Sequence, residues 1–297
     1  MLCQGLRYQG SARPTHVFGD WRPTPTDLQV DDTPFELTCL SESTSGGQKE
    51  RELARKWLFL VQLFSNCCLS YEEDTLPALS GLALIFQRFT QDHYIAGIWK
   101  KSLLQGLLWA RSPNVTPRYP KKYRAPSWSW AAMSCKIYFP LLNDLHGMIY
   151  EDIWVAEVIE ASVQTDGPDQ MGRVVSGFIC LSSNLRQTRD MLWTKEGASG
   201  RVHIDWIDGS APTSGSIVSN NVFHLLLGYR IKRQDKGPQE IIDVHGLIVE
   251  QVTECRFRRL GAFQHGWHKE GLDDTGRLSL FVDFNPHDLK RTRVILI

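Results

Sequence analysis

The stretch Tyr123-Arg124-Ala125-Pro126-Ser127-Trp128-Ser129-Trp130-Ala131-Ala132 carries two indoles separated by one residue, and a proline lies two positions before the first. Pro126 fixes its own backbone and disfavours a helical Ala125, so we expect an extended entry to the stretch. Alternate side chains of an extended segment share a face, which predicts that Trp128 and Trp130 point to one side. The pair then forms either a packing layer between two halves of the fold or the aromatic wall of a pocket. The large area that an indole buries favours packing.

The residues before this stretch carry a helical pattern of apolar side chains. Between residues 48 and 66 these side chains recur at helical spacing, which predicts an amphipathic helix. A second helix is expected after Asp74, whose carboxylate would cap the helix, with Pro77 in its first turn. A third helix is expected over residues 98–109.

The residues after 124 change to a strand-like pattern. Residues 153–163 are rich in β-branched side chains and alternate imperfectly. Six further strand candidates are separated by turn-forming residues: 177–181, 201–207, 221–229, 246–253, 256–260 and 278–284. Short strands at this spacing are typical of an antiparallel sandwich or barrel. The predicted fold class is therefore α+β, with a small layer of about three helices packed on an antiparallel β-sandwich or barrel.

These patterns divide the chain into three parts. Residues 11–50 are rich in Pro, Thr, Ser and Gly, and residues 1–50 are predicted to form a loop-rich segment. Residues 51–122 form the helical region, and residues 123–297 form the β-rich domain. We expect the helices and the β-rich domain to build one compact unit.

Composition limits the class of protein. The 297 residues include 33 basic and 33 acidic side chains, so the net charge is zero, which argues against a nucleic-acid partner. No apolar run approaches the roughly 20 residues of a membrane span, and the first residues do not resemble a signal peptide. Seven cysteines without a C-x-x-C pair predict a cytoplasmic protein with reduced thiols.

A search for catalytic and metal-binding motifs returns few candidates. The sequence contains no Gly-rich phosphate loop, no G-x-S-x-G and no H-E-x-x-H. His265 and His268 form an H-x-x-H pair, but the neighbouring glycine disfavours the helix that two metal ligands at this spacing require. We therefore predict neither a metal nor a cofactor.

Titratable and aromatic side chains supply the candidate site. The candidate catalytic residues lie in or beside apolar strand patterns, and a buried neutral imidazole is the alternative for each: His146, His224 and His245. A guanidinium beside aromatic faces stacks well and still donates to a bound carbonyl or carboxylate, which makes Arg124 a candidate. The candidate substrate-binding residues are Trp99, Trp109, Tyr123, Arg124, Trp128, Trp130 and Trp154.

The double-Trp stretch also resembles a recurrent landmark, Y-R-A-P-S-W-S-W-A, of fungal heterokaryon-incompatibility (HET) proteins, in the region C-terminal to their signature domain. Further blocks agree in order. Residues 74–83 resemble D-x-L-x-A-L-S-G-(I/L)-A, residues 94–99 resemble Y-x-A-G-(L/I)-W, and residues 107–109 resemble L-L-W. Blocks that begin at His224, Gly246 and Phe257 resemble the closing strands of the family, so the resemblance covers roughly residues 53–265.

The resemblance does not extend to the HET signature domain itself. In the family that domain precedes these blocks and is linked to cell-death signalling, and we expect no room for it in this chain. Residues 6–20 resemble at most a worn remnant of its last block, with Gly10 where the family has Glu. The resemblance thus implies the ancestry of the fold, whereas the signalling role does not carry over.

Two classes of function remain. In the first, the chain is a cofactor-independent enzyme of fungal specialised metabolism, a cyclase or pericyclase that holds a small apolar molecule in an aromatic-lined pocket. The ten Trp residues and the missing cofactor motifs favour it. In the second, the chain is a non-enzymatic, HET-related recognition module that binds a protein partner or a ligand. A closed aromatic pocket would favour the enzyme, and a filled core with an exposed apolar patch would favour the recognition module.

Overall fold

The helical and the strand-like patterns of the sequence occupy separate parts of the computed structural model. It describes residues 46–67, 69–112, 115, 120, 122–142, 148–187, 199–204, 221–234, 240–268 and 291–297. All of them belong to one compact unit, Ser45–Ile297. Helices come first in the chain and long strands follow, so the predicted α+β class is confirmed. Residues 1–45 of the predicted loop-rich segment lie outside the described residues.

The first two helices follow the apolar periodicity. Helix α1 spans Gly46–Phe64 and buries one stripe that includes Leu53, Trp57 and Val61. Helix α2 spans Ser80–Thr90, after a 3-10 turn that has a proline at its start and spans Pro77–Leu79. At 19 residues α1 is the longest described helix, and no helix in the described ranges is both long and apolar enough to cross a membrane.

The predicted cap of α2 is wrong. Asp74 ends a separate 3-10 turn, Glu72–Asp74, that lies several residues before α2 begins. Its carboxylate instead accepts a hydrogen bond of 3.3 Å from Arg173 Nη2. The proline at position 77 starts its own short turn, which separates the acidic residue from the helix that it was expected to cap.

The predicted third helix is shorter than expected, because a hairpin takes its first residues. Strands β1, Tyr94–Ile95, and β2, Ile98–Trp99, pair through a two-residue turn. Ala96 and Gly97 both have positive φ, 44° and 95°, as a type I′ hairpin turn requires. Only Leu103–Gly106 remains as helix α3, after a 3-10 turn at Lys100–Ser102.

Ten strands follow α3. Strands β3, Ala110–Arg111, and β4, Ile137–Tyr138, form a small pair beside the helices. The other eight form one large sheet: β5 Met148–Trp154, β6 Glu157–Thr165, β7 Val174–Gln187, β8 Ser199–Ile204, β9 Val222–Gln234, β10 Glu240–Thr253, β11 Arg256–His268 and β12 Arg291–Leu296.

The large sheet closes on itself. Its strands follow the order β5-β9-β10-β11-β12-β7-β6, and β7 pairs again with β9, which closes a ring of five strands. Every pairing is antiparallel except the short parallel one between β11 and β12. The predicted run 153–163 is two strands, because the backbone N–H groups of Val155 and Ala156 both donate to Leu227 O and interrupt it. The strand predicted over 278–284 lies outside the described residues.

The inner face of the ring is apolar and filled. Register pairs bring together side chains from all five strands whose exposure is 2% or less: Ile179, Leu181, Leu225, Leu247, Val249, Phe257, Val294 and Leu296. Since paired residues share a face and successive residues alternate, this set defines the inner face. Strand β9 has one extra residue, Leu227, opposite the step from His245 to Gly246 of β10. Because of this bulge, Leu225 of β9 and Leu247 of β10 point to the same face.

Candidate functional site

Two indoles and one turn carbonyl form what we call the indole junction: Trp57, Trp130 and Gly97. Trp57 Nε1 donates to Gly97 O at 3.0 Å, and Trp130 Nε1 donates to the same oxygen at 3.1 Å. Next to it, Ser129 Oγ donates to Ala96 O at 2.6 Å. The turn between β1 and β2 therefore fastens α1 to the double-Trp stretch, and its positive φ values direct both carbonyls toward these donors.

The double-Trp stretch is a turn rather than the predicted extended segment. Ser129 N donates to Pro126 O at 2.9 Å, and a 3-10 turn spans Trp130–Ala132. Trp128 is fully buried and Trp130 is 3% exposed. Of the two alternatives from the sequence, the structure has the packing layer, because both rings are enclosed by the core.

The other predicted indoles also lie in or near this core. Trp99 packs on Trp57 with ring centroids 5.3 Å apart. Trp109 is 1% exposed and donates from Nε1 to Trp128 O at 3.0 Å. Trp154, in contrast, is half-buried at the end of β5.

A different arginine makes the stacking contact that was predicted for Arg124. The guanidinium of Arg259 lies 3.5 Å from the ring centroid of Trp109 and donates to Leu107 O at 3.0 Å. Tyr123 is 58% exposed, and the buried Arg124 bonds to backbone carbonyls and Ser134 instead. The sequence could not distinguish the two arginines, because Arg259 lies 150 residues from its aromatic partner.

The candidate catalytic histidines do not meet in one site. His146 lies outside the described residues. His224 packs on Phe263 with ring centroids 5.0 Å apart, on the outer face of the sheet. His245 lies on the inner face and packs on Trp154 at 5.4 Å. Both described imidazoles are buried, but the sheet lies between them, so they cannot act on the same atom.

His245 borders a group of ionised side chains that we call the charged cluster: Asp152, Arg230, Lys232 and Asp243. Arg230 makes a bidentate bond to Asp152, with Nε and Nη2 at 2.6 and 2.9 Å from the two carboxylate oxygens. Lys232 Nζ forms an ion pair with Asp243, which also accepts from Gln264 Nε2 at 2.8 Å. Arg230 reaches Leu141 O at 2.8 Å, so the cluster ties the sheet to the turn before it.

Burial holds His245 in its neutral form. Complete burial lowers the pKa of His245 to about 4, although the carboxylates of Asp152 and Asp243 act in the opposite direction. Neither ring nitrogen has a partner at ordinary hydrogen-bond geometry among the described residues. A neutral imidazole of this kind has the chemistry of a base, but its 2% exposure keeps it from bulk solvent.

Two open clefts bring some of the predicted residues together. The first, about 440 Å³, is lined by Trp99 and Trp154, and charged side chains surround it. We call it the Trp154 cleft. The second, about 400 Å³, is lined by Arg124 and Trp130 and lies at the end of α1. We call it the Arg124 cleft.

Helix α2 exposes several apolar side chains, and helix α1 exposes two more. Helix α2 has buried apolar side chains on its inner side, Ala83 and Phe86, and exposed ones on its outer side: Leu82 39%, Leu84 47%, Ile85 39% and Phe89 51%. A helix that is apolar all round is normally covered on both sides. On α1, Phe59 and Leu63 lie one turn apart and are 37% and 48% exposed. We call these six exposed side chains the apolar face.

Comparison with known proteins assigns the chain to no family. A scan against protein-family models finds no match, and searches of curated proteins and of solved structures find none either. The HET resemblance therefore stays a prediction from the sequence blocks alone.

Proposed function

We propose that the chain is a non-enzymatic recognition module, related to HET proteins, that binds a protein partner through the apolar face. The observation that carries the proposal is the two-sided apolar character of α2, whose outer side leaves Ile85 and Phe89 exposed. Contiguous exposed apolar surface in a folded protein marks an interaction site. Arg88 is the only charged residue of α2, so a partner with an apolar, nearly uncharged surface fits best.

The position of the aromatic residues supports the same proposal. Trp57, Trp109 and Trp128 are among the largest fully buried side chains, so they fill the core and leave no ring surface for a ligand. Their number reflects the packing between helices and sheet. The first class of function from the sequence, an enzyme with an aromatic-lined pocket, loses its main argument when these indoles serve as core.

The partner that the sequence blocks suggest is a HET signature domain, because family members are expected to carry that domain ahead of these blocks. A domain of this kind would bury the apolar face when it docks. Apolar side chains at the centre of such an interface contribute most of the binding free energy.

The proposal is tested by titrating a purified HET signature domain into this protein and measuring the heat of binding. We expect Phe89→Glu to weaken binding by roughly 30-fold, as for a residue at the centre of an interface. Ile159→Glu is the matched control, because Ile159 is 49% exposed and lies on β6, away from α2. Both variants should keep the thermal midpoint of the wild type.

Three results would count against the proposal. The wild type fails to bind the HET domain, or the two variants bind it equally well, or the wild type forms a dimer that Phe89→Glu dissociates. In the last case sedimentation would identify the apolar face as a surface for self-association.

A second candidate function is cofactor-free catalysis of a cyclisation, and the observation that favours it is the Trp154 cleft. Trp99 and Trp154 line it together with Leu53 and Leu103, which offers aromatic and aliphatic surface to an apolar substrate. The test is to incubate the protein with fungal extract and to identify bound or converted molecules by mass spectrometry. Trp154→Ala, at a half-buried position, should abolish the signal without unfolding the protein.

A further inference from the structure

Two cysteines that are far apart in the sequence line the same cleft. Cys67 follows the end of α1, and Cys135 lies two residues before β4. Both line the Arg124 cleft, which has a volume of about 400 Å³. Cys67 is exposed, Cys135 is half-buried, and both carry thiols. The cleft therefore brings two thiols to one part of the surface, and solvent reaches at least one of them.

Two hydrogen bonds show how the end of α1 runs along β4. Gln62 Oε1 accepts from Phe139 N at 3.1 Å, and Ser65 Oγ accepts from Ile137 N at 3.0 Å. Residue numbers therefore rise along the end of α1 as they fall along β4, so the two segments run in opposite directions. The next step in this direction leads from Ser65 to Cys67 on one side and from Ile137 to Cys135 on the other.

The edge of β4 that faces α1 also leads to Cys135. The other edge of β4 pairs with β3, and beyond that pair Ser112 N donates to Lys136 O at 2.9 Å. The backbone groups of successive residues in a strand point alternately to its two edges. Those of Lys136 point toward the β3 side, whereas those of Ile137 point toward α1. Cys135, two residues before Ile137, comes next on the edge beside α1.

We propose that Cys67 and Cys135 form a reversible disulfide, which fastens the end of α1 to the start of β4 under oxidising conditions. A disulfide needs two Cα atoms about 4.4 to 6.8 Å apart. Because serine is short, the bond from Ile137 N to Ser65 Oγ brings the two backbones to about this distance one step earlier. The pair is independent of the apolar face and of the function proposed for it.

The charges around the cleft favour thiol exchange. The guanidinium of Arg124 interacts electrostatically with Cys135, and a nearby cation favours the thiolate, which is the form that attacks a disulfide. Lys136 is exposed and lines the cleft, so it attracts anionic glutathione. The carboxylate of Glu72 interacts with the same guanidinium and partly offsets its charge. Among the described side chains that line the cleft, two cations thus face one anion.

Glutathione disulfide is the oxidant in this reaction. The thiolate of the exposed Cys67 attacks one of its sulfurs, which breaks the S–S bond and releases one glutathione thiolate. The thiolate of Cys135 then attacks the sulfur of Cys67 in the mixed disulfide, which forms the new S–S bond and releases the second glutathione thiolate. The two protein thiols are oxidised, one glutathione disulfide is reduced to two thiols, and the two protein protons pass to these thiols through water. Excess reduced glutathione reverses both steps.

The first test is to incubate the protein with glutathione disulfide, block the remaining thiols with iodoacetamide and map the peptides by mass spectrometry without reductant. We expect a crosslinked peptide that joins Cys67 to Cys135 and that disappears with excess dithiothreitol. Cys255 is the internal control, because it is also exposed but lies in the turn between β10 and β11. It should form only a mixed disulfide with glutathione.

Two serine variants identify the partner of Cys135. Cys68 is the neighbour of Cys67 in the sequence and lies outside the described residues. Cys67→Ser should abolish the crosslink to Cys135, whereas Cys68→Ser, the matched control, should retain it. Since Cys67 is exposed, its substitution should leave the thermal midpoint of the reduced protein unchanged.

Thermal denaturation measures what the crosslink does to the fold. The disulfide closes a long loop that contains α2, α3 and the double-Trp stretch, and such a crosslink restricts the unfolded chain. We expect the thermal midpoint of the oxidised protein to rise by roughly 5 to 10 °C and to return after treatment with dithiothreitol. The Cys67→Ser variant should show no rise after the same oxidation.

The proposal is overturned if Cys67 and Cys135 both take up glutathione without joining each other, or if the crosslink forms only between two molecules. A crosslink that persists in Cys67→Ser and disappears in Cys68→Ser would assign the pairing to Cys68 instead. A crosslink that fails to raise the thermal midpoint would show that the native fold does not hold the two thiols together.

Discussion

The indole junction is buried and the charged cluster is partly buried, and different forces hold them. At the junction, two neutral N–H groups donate to Gly97 O, and the surrounding aromatic rings fill the space. In the cluster, Arg230 is held by Asp152 and by a carbonyl, and full charges balance each other. The space between the rings therefore limits which substitutions the junction tolerates, whereas the balance of charge limits which substitutions the cluster tolerates. Changes that add volume should damage the junction, and changes that remove one charge should damage the cluster.

Arg230→Met should give the largest loss of stability. Arg230 is 2% exposed, and its removal leaves Asp152 and Leu141 O without their partner. We expect the free energy of unfolding to fall by about 3 to 5 kcal/mol, as for a buried pair that loses one member. Urea denaturation followed by circular dichroism measures it.

The double variant Asp152→Leu/Arg230→Met is the control for this effect. It removes both charges, so it should recover part of the stability that the single variant loses. If Arg230→Met is as stable as the wild type, the ion pair does not stabilise the fold, and the cluster does not differ from the junction in the way described.

Gly97→Ala tests the junction, where volume is limiting. Gly97 has φ of 95°, and an added Cβ would lie 2.4 Å from Trp130 Nε1. Strain and overpacking together should lower the free energy of unfolding by about 2 to 4 kcal/mol.

Gly167→Ala is the matched control for the backbone strain at Gly97. Gly167 has φ of 108°, and nothing lies within 4 Å of an added Cβ. It should cost only the strain of the left-handed backbone, about 1 to 2 kcal/mol. Equal losses in the two alanine variants would mean that Trp130 yields and that the junction is not tightly packed.

A smaller effect on stability distinguishes the two regions, because the charged cluster has beside it a titratable group whose pKa is lowered into the acidic range, His245. Burial lowers the pKa of His245 to about 4 from an ordinary 6.5, so within this window the unfolded chain binds a proton that the folded protein does not. The contribution is fully present above pH 6.5 and is lost as the pH falls toward 4. From pH 7 to pH 5 the free energy of unfolding should fall by about 2 kcal/mol.

His245→Gln should flatten this dependence, and the exposed His93→Gln should retain it. Denaturation curves of the three proteins at pH 7, 6 and 5 give the slopes. A wild-type slope that His245→Gln leaves unchanged would assign the titration to another group.

The sequence predicted the elements whose pattern is local. The apolar spacing of residues 48–66 became α1, and the β-branched runs became β9, β10 and β11, because both patterns depend on which side of one element is buried. The second strand of the first hairpin, Ile98–Trp99, was predicted as the start of a helix, although the turn at Ala96 and Gly97 is a local feature as well. An alanine in the first turn position hid it, since asparagine or glycine is the usual residue there.

The candidate site could not be predicted to the same degree, because its contacts join distant parts of the chain. The pairing of Arg230 with Asp152 spans 78 residues and depends on the register of β5 and β9. His224 and His245 lie on opposite faces because of the bulge at Leu227, and no pattern in the sequence predicts this bulge. Arg124 was recognised as a donor, but its acceptors in the structure, Ala131 O, Glu72 O and Ser134 Oγ, follow only from the fold.

The position of β12 in the ring has a consequence for how the protein is made. Ser127 N bonds to Ile297 O at 3.2 Å, so the double-Trp turn is fixed by a residue 170 positions later. At 5 to 20 residues per second the ribosome needs roughly 10 to 30 seconds to supply that residue. During this time the strands already synthesised have exposed edges and an unfilled interior. The ring of five strands therefore cannot close before β12 has been synthesised.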